Sequence, residues 1–66
     1  MLLTINGTPV DISAPCSILE YLQQKNLEPL HVVVERNGAL VPREAFVNCM
    51  LVESDTIEIL RFVGGG

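Results

Sequence analysis

Apolar and polar positions alternate at both ends of the chain and lose that alternation between them. Met1, Leu3 and Ile5 fall on one face of a strand over residues 1–6. Asn6-Gly7 follows, the pair favoured where both central residues of a type I′ turn need φ > 0. Thr8 to Ile12 then returns as a second strand with Val10 and Ile12 inward. Pro9 donates no ladder hydrogen bond, which marks that strand as an edge. After Ser13-Ala14-Pro15-Cys16 the period changes. Ser17 and Glu20 form a capping box, with Cys16 and Tyr21 placed as a hydrophobic staple. Ile18, Leu19 and Leu22 share one face, Gln23, Gln24 and Lys25 are polar, and Asn26 is a stop. The spacing predicts a helix over 18–25.

Leu27 to Leu30 reads as a loop. His31 to Arg36 reads as a strand with Val32 and Val34 inward, Asn37-Gly38 repeats the hairpin signal, and Ala39-Leu40-Val41 is the short return. Pro42-Arg43-Glu44 predicts one helical turn with proline at its first position. Phe46, Val47, Met50 and Leu51 show no clean period, and predict irregular chain held by buried anchors. Glu53-Ser54-Asp55 is a turn into a last strand with Ile57 and Ile59 inward. A helix following a hairpin packs across that sheet's apolar face, and the last strand finds burial beside the first, parallel to it. The expected fold class is α+β, a ubiquitin-like β-grasp roll with a mixed sheet of about four to five strands packed on one helix. The expected domain covers 1–63, with 64–66 as a flexible C-terminal glycine tail.

Composition sharpens this picture. Sixty-six residues allow one small core, and 48% hydrophobic content with only Tyr21, Phe46 and Phe62 aromatic makes it a core of Val, Ile and Leu. A net charge of −4, with Lys25, Arg36, Arg43 and Arg61 scattered, argues against nucleic acid and suits a basic partner. No long apolar run or leader pattern occurs, so neither membrane insertion nor export is expected, and the cytoplasm is the default. Cys16 and Cys49 make no CxxC and no disulfide framework.

The candidate chemistry lies at the end. Gly64, Gly65 and Gly66 add no packing and lose the most backbone entropy on ordering, so they do not serve the fold. Such a peptide is thin enough to thread a partner's channel and present the Gly66 α-carboxylate. On the last strand Thr56, Glu58, Leu60 and Phe62 point outward. Leu60 and Phe62 are apolar there, and Val33 shares that face, so the three predict a partner-docking surface beside the tail. Arg61 reads as a charge for an acidic partner or as a solvated residue. Arg43 reads as structural, Cys16 and Cys49 as packed thiols, and lone His31 as no metal ligand. No nucleophile–base pair, metal cluster or phosphate loop is expected, so no catalytic residue and no bound cofactor.

Val32-Val33-Val34-Glu35-Arg36-Asn37-Gly38, Val41-Pro42-Arg43-Glu44, Glu53-Ser54-Asp55-Thr56-Ile57-Glu58 and the terminal glycines together resemble the thiamine-biosynthesis sulfur carrier proteins of the ThiS type. Ser54 departs from the Glu-Gly-Asp usual in that family. The resemblance implies that an E1-like adenylyltransferase uses ATP and Mg to adenylate Gly66. A persulfide from a cysteine desulfurase system then makes a thiocarboxylate, and thiazole synthase accepts the sulfur. The carrier would be no enzyme, and monomeric outside its complexes. Other readings stay open at this point: a carrier for molybdopterin or amino-acid biosynthesis, a ubiquitin-like modifier joined through Gly66 to lysines, or an interaction module with an inert tail.

Overall fold

The first hairpin forms where the two-residue turn predicts. Strands β1 (Leu2–Ile5) and β2 (Thr8–Asp11) pair antiparallel, with Asn6 at φ 51° and Gly7 at φ 77° between them. The computed structural model describes residues 1–62; the tail, with Gly64, Gly65, Gly66 and the boundary expected at 63, lies outside the described residues. Helix α1 (Ile18–Gln24) starts at the expected box: the Glu20 N–H donates to Ser17 Oγ at 3.0 Å and the Ser17 N–H to Glu20 Oε1 at 2.8 Å. Cys16 is buried in the core cluster, and Tyr21 is partly buried against that cluster. Lys25 closes the helix, and Asn26 turns the chain at φ 57°.

The second hairpin, β3 (Val32–Arg36) and β4 (Ala39–Val41), turns at Asn37 and Gly38, both at positive φ. β3 starts one residue later than expected because His31 closes a 3-10 turn, Pro29–His31, capped by Glu28. A second 3-10 turn, Arg43–Ala45, has Pro42 as its N-cap. The last strand, β5 (Thr56–Arg61), enters the middle of a five-stranded sheet ordered β2-β1-β5-β3-β4. It runs parallel to β1 (Thr4 opposite Thr56, Ile5 opposite Ile57) and antiparallel to β3. Pro9 lies on an edge strand, as its missing N–H demands.

One face of the sheet meets the helix. Leu3, Ile5, Val32, Val34, Ile57 and Ile59 bury against Ile18 and Leu22. Of the four anchors expected between residues 46 and 51, Phe46 and Leu51 are buried, whereas Val47 and Met50 are exposed. The segment's backbone explains this. The Phe46 and Cys49 carbonyls accept the Leu19 and Ile18 N–H groups, while the Leu51 N–H donates to the Cys16 carbonyl. The segment therefore caps the helix N-terminus from outside, satisfying donors that a helix leaves free. Met50 lies opposite Ser17 in an isolated bridge, so alternation turns its side chain out as Leu51 turns in.

Candidate functional site

The outer sheet face carries the expected patch. Val33 and Leu60 lie directly opposite each other across β3 and β5. Leu60 is 59% exposed, Phe62 41% exposed and Val33 half-buried. The Phe62 N–H donates to the His31 carbonyl at 3.0 Å, which carries the β3–β5 ladder past the last strand residue. Arg61 is exposed beside them. Sequence reasoning missed Leu40, 66% exposed and opposite Glu35 on the same outer face. The register of the second hairpin holds that signal, since Val41 faces in opposite Val34.

Behind the apolar patch, Glu35 and Glu58 are directly opposed across β3 and β5. Like charges so placed destabilise a sheet. The outer face thus grades from an apolar end, next to the start of the tail, to an acidic middle.

The entry to β5 is held by a buried acid. Asp55 is 4% exposed. It accepts from the Val52 N–H (2.9 Å), Arg36 Nε (3.0 Å) and Asn37 Nδ2 (3.0 Å). Burial alone would push this carboxyl up. The Val52 N–H, the Asn37 amide and the Arg36 guanidinium outweigh it and hold Asp55 below the ordinary aspartate range. Arg36 also donates through Nη1 to Cys49 Sγ at 3.3 Å. The neighbouring Ser54 sits at φ 71°, so the turn does take the left-handed backbone that glycine adopts more readily.

The two hairpin asparagines do more than turn the chain. Asn37 Oδ1 accepts the Thr56 N–H (2.8 Å) while the Asn37 N–H donates to the Thr56 carbonyl (2.7 Å). Asn6 Oδ1 accepts the Ile59 N–H (2.7 Å) and Asn6 Nδ2 donates to the Ile59 carbonyl (3.2 Å). β5 is thus gripped by one asparagine at its start and another near its end. The alternation of apolar positions gives no hint of this.

The remaining residues are structural. Arg43 donates to the carbonyls of Pro29 (2.9 Å) and Val32 (3.4 Å), tying the second 3-10 turn to the start of β3. Burial, with a smaller contribution from the Glu20 carboxylate, pushes the Cys16 thiol up, which keeps it protonated and unreactive. Cys49 is half-buried. Among the described residues no group of three or more His, Cys, Asp or Glu could hold a metal ion, and no helix is long and apolar enough to cross a membrane.

A mixed sheet wrapped on one helix, with its first and last strands parallel at the centre, is the ubiquitin-like β-grasp. The sequence model of the ThiS family matches residues 3–66. A crystal structure of the thiamine biosynthesis protein ThiS from Geobacter metallireducens superimposes with a TM-score of 0.83 at 35% identity, covering 100% of both chains. The sulfur carrier protein ThiS of Bacillus subtilis is 36% identical over 66 residues, spanning 98% of this chain and 100% of its own. The thiazole synthase of Paramagnetospirillum magneticum is 33% identical over 66 residues, and there this chain spans only 20% of the relative's length. The chain belongs to the ThiS family.

Proposed function

We propose that this protein is a sulfur carrier of thiamine biosynthesis whose working group is the Gly66 α-carboxylate. The observation that carries the reading is the course of β5. The central strand leaves the sheet at Arg61 and Phe62, with Leu60, Phe62 and Val33 forming an apolar patch beside its exit, and the sequence then runs into Gly64-Gly65-Gly66. Family membership over residues 3–66, which includes those glycines, supports it.

The chemistry follows from the weakness of a carboxylate as an acyl donor. An E1-like adenylyltransferase, using Mg-ATP, joins the Gly66 carboxylate to AMP and releases pyrophosphate, so the carboxyl oxygen becomes a good leaving group. The terminal sulfur of a persulfide, charged by a cysteine desulfurase, attacks the acyl carbon and expels AMP. A second thiol cleaves the resulting acyl disulfide and leaves the thiocarboxylate, which is ionised at neutral pH and carries a polarisable nucleophile. Thiazole synthase takes that sulfur. The carrier contributes no acid, base or metal; it brings a substrate group into partners' sites by docking and threading. The match of the whole chain to 20% of a thiazole synthase polypeptide supports that acceptor, since a region of this kind there shares one chain with the enzyme. Docking uses Val33, Leu60 and Phe62, with Leu40 extending the patch. Arg61 adds a charge at its border, and partner cations opposite Glu35 and Glu58 relieve their mutual repulsion.

The test is the intact mass of the protein after incubation with Mg-ATP, a sulfur donor and an E1-like enzyme. The expected result is the gain for one oxygen replaced by sulfur, absent in a chain lacking Gly66. Isopeptide adducts on lysines, with no such gain, would replace the carrier reading with that of a protein modifier.

A further inference from the structure

The parallel contact between β1 and β5 stops early. Its last registered pair is Ile5 with Ile57, after which β1 turns away at Asn6 while β5 continues to Arg61. On its other side β5 stays paired with β3 through Arg61 opposite Val32, and Phe62 adds one more bond there. The end of β5 therefore has a full strand on one edge. On the other edge, past Ile57, it has the Asn6 side chain.

The geometry of that contact is that of a peptide unit. The Asn6 N–H donates to the Ile57 carbonyl at 2.9 Å, as a continuing parallel strand would. The next acceptor and donor on such a strand would be a backbone C=O and N–H. The Asn6 amide supplies both in their place, Oδ1 to the Ile59 N–H and Nδ2 to the Ile59 carbonyl. Asparagine suits both tasks, since it tolerates the left-handed backbone that the hairpin needs and ends in an amide. Glycine meets only the first. Aspartate keeps the acceptor and loses the donor.

We propose that Asn6 is a positioning residue for the tail: its amide stands in for a strand that has ended and fixes the direction in which β5 hands the chain to Gly64-Gly65-Gly66. The proposal rests on the carrier reading of Gly66. Reaction at a threaded terminus depends on the path between docking patch and reacting carboxylate, so a looser exit costs turnover more than docking. Val33, Leu60 and Phe62 stay held through β3, and the patch itself does not need Asn6.

The experiment compares the full chain with Asn6→Gly, Asn6→Asp and Ile18→Val, the last a core truncation that leaves both Asn6 amide hydrogen bonds in place. Amide exchange of Ile59 is read by NMR, and adenylation by pyrophosphate release with the E1-like enzyme and Mg-ATP. In Asn6→Gly, Ile59 exchange is expected to rise about tenfold beyond any change in global opening. The kcat is expected to fall about fivefold, with KM for the carrier within about twofold. Asn6→Asp, which keeps the shorter bond, is expected between wild type and Asn6→Gly in both readouts. Ile18→Val is expected to lower Tm, to raise Ile59 exchange only by its change in global opening, and to leave kcat unchanged. A wild-type kcat in Asn6→Gly overturns the positioning role while the carrier reading stands. So does a fall no larger than that of Ile18→Val. A wild-type chain that is never adenylated at Gly66 overturns the carrier reading, and the positioning role falls with it.

Discussion

Asp55→Asn changes one atom at the entry to β5 and removes the charge on which three donors converge. The Val52 N–H, Arg36 Nε and Asn37 Nδ2 all lie within 3.0 Å of the carboxylate. An amide offers one oxygen and turns an NH₂ toward a donor. A hydrogen bond to a charged group contributes about 1.5–3 kcal/mol net, so at least one such contribution is lost outright and another weakened. Arg36 is about a third exposed and regains some hydration, which softens the loss. The expected cost at pH 7 is about 2–3 kcal/mol, against a total near 3–10 kcal/mol for a domain of this size. Urea unfolding followed by circular dichroism measures it as a lower midpoint at unchanged slope. The pH dependence supplies the sharper check. Asp55 has its folded pKa depressed below the ordinary 3.8, so its contribution is present above pH 3.8 and is lost as pH falls through the folded value. Asp55→Asn has no such group, and the gap between the two proteins should close as pH falls through the depressed folded value of Asp55. A gap below about 1 kcal/mol at neutral pH, or one that persists undiminished in acid, would refute the reasoning.

Two further predictions concern the same strand. Ser54→Gly removes a side chain from a residue at φ 71° and should raise stability by about 0.5–1 kcal/mol, read as a Tm higher by a few degrees; an unchanged or lower Tm would mean that the turn holds no strain. Phe62→Asp places a charge in the exposed patch and should weaken the complex with the E1-like enzyme at least tenfold by calorimetry while Tm stays within about 2 °C; an unchanged affinity would remove the outer face from the docking argument.

Much of this fold is written in local patterns. The Asn-Gly pairs, the Ser17–Glu20 box and the alternation of Ile57 and Ile59 each specify one element from a few neighbouring residues, and each forms as read. The parallel pairing of β1 with β5 follows from the sheet order, because the place between the two hairpins gives that strand a neighbour on both edges while Ile57 and Ile59 are buried on the inner face. Residues 46–51 were legible only in part. Their backbone serves the helix terminus, and that duty, rather than hydrophobicity, decides that Met50 points out. The outward set on β5 was readable from period two, whereas Leu40 needed the hairpin register. The grip of Asn6 and Asn37 on β5 was invisible, because a turn residue satisfies its local pattern whether or not its amide reaches another strand.

The parallel neighbours at the sheet centre also govern when this protein can exist as a folded object. Thr4 and Thr56 meet across nearly the whole described chain, so the sheet stays split into two hairpins until β5 slides between them. A ribosome that stalls before Thr56, or a protease that cuts ahead of it, leaves two hairpins without the strand that joins them into one sheet. The outer face that β3 and β5 share is therefore complete only on molecules whose assembly has finished. On the proposed carrier reading, an enzyme that docks on this face inspects the integrity of its cargo in the act of binding it.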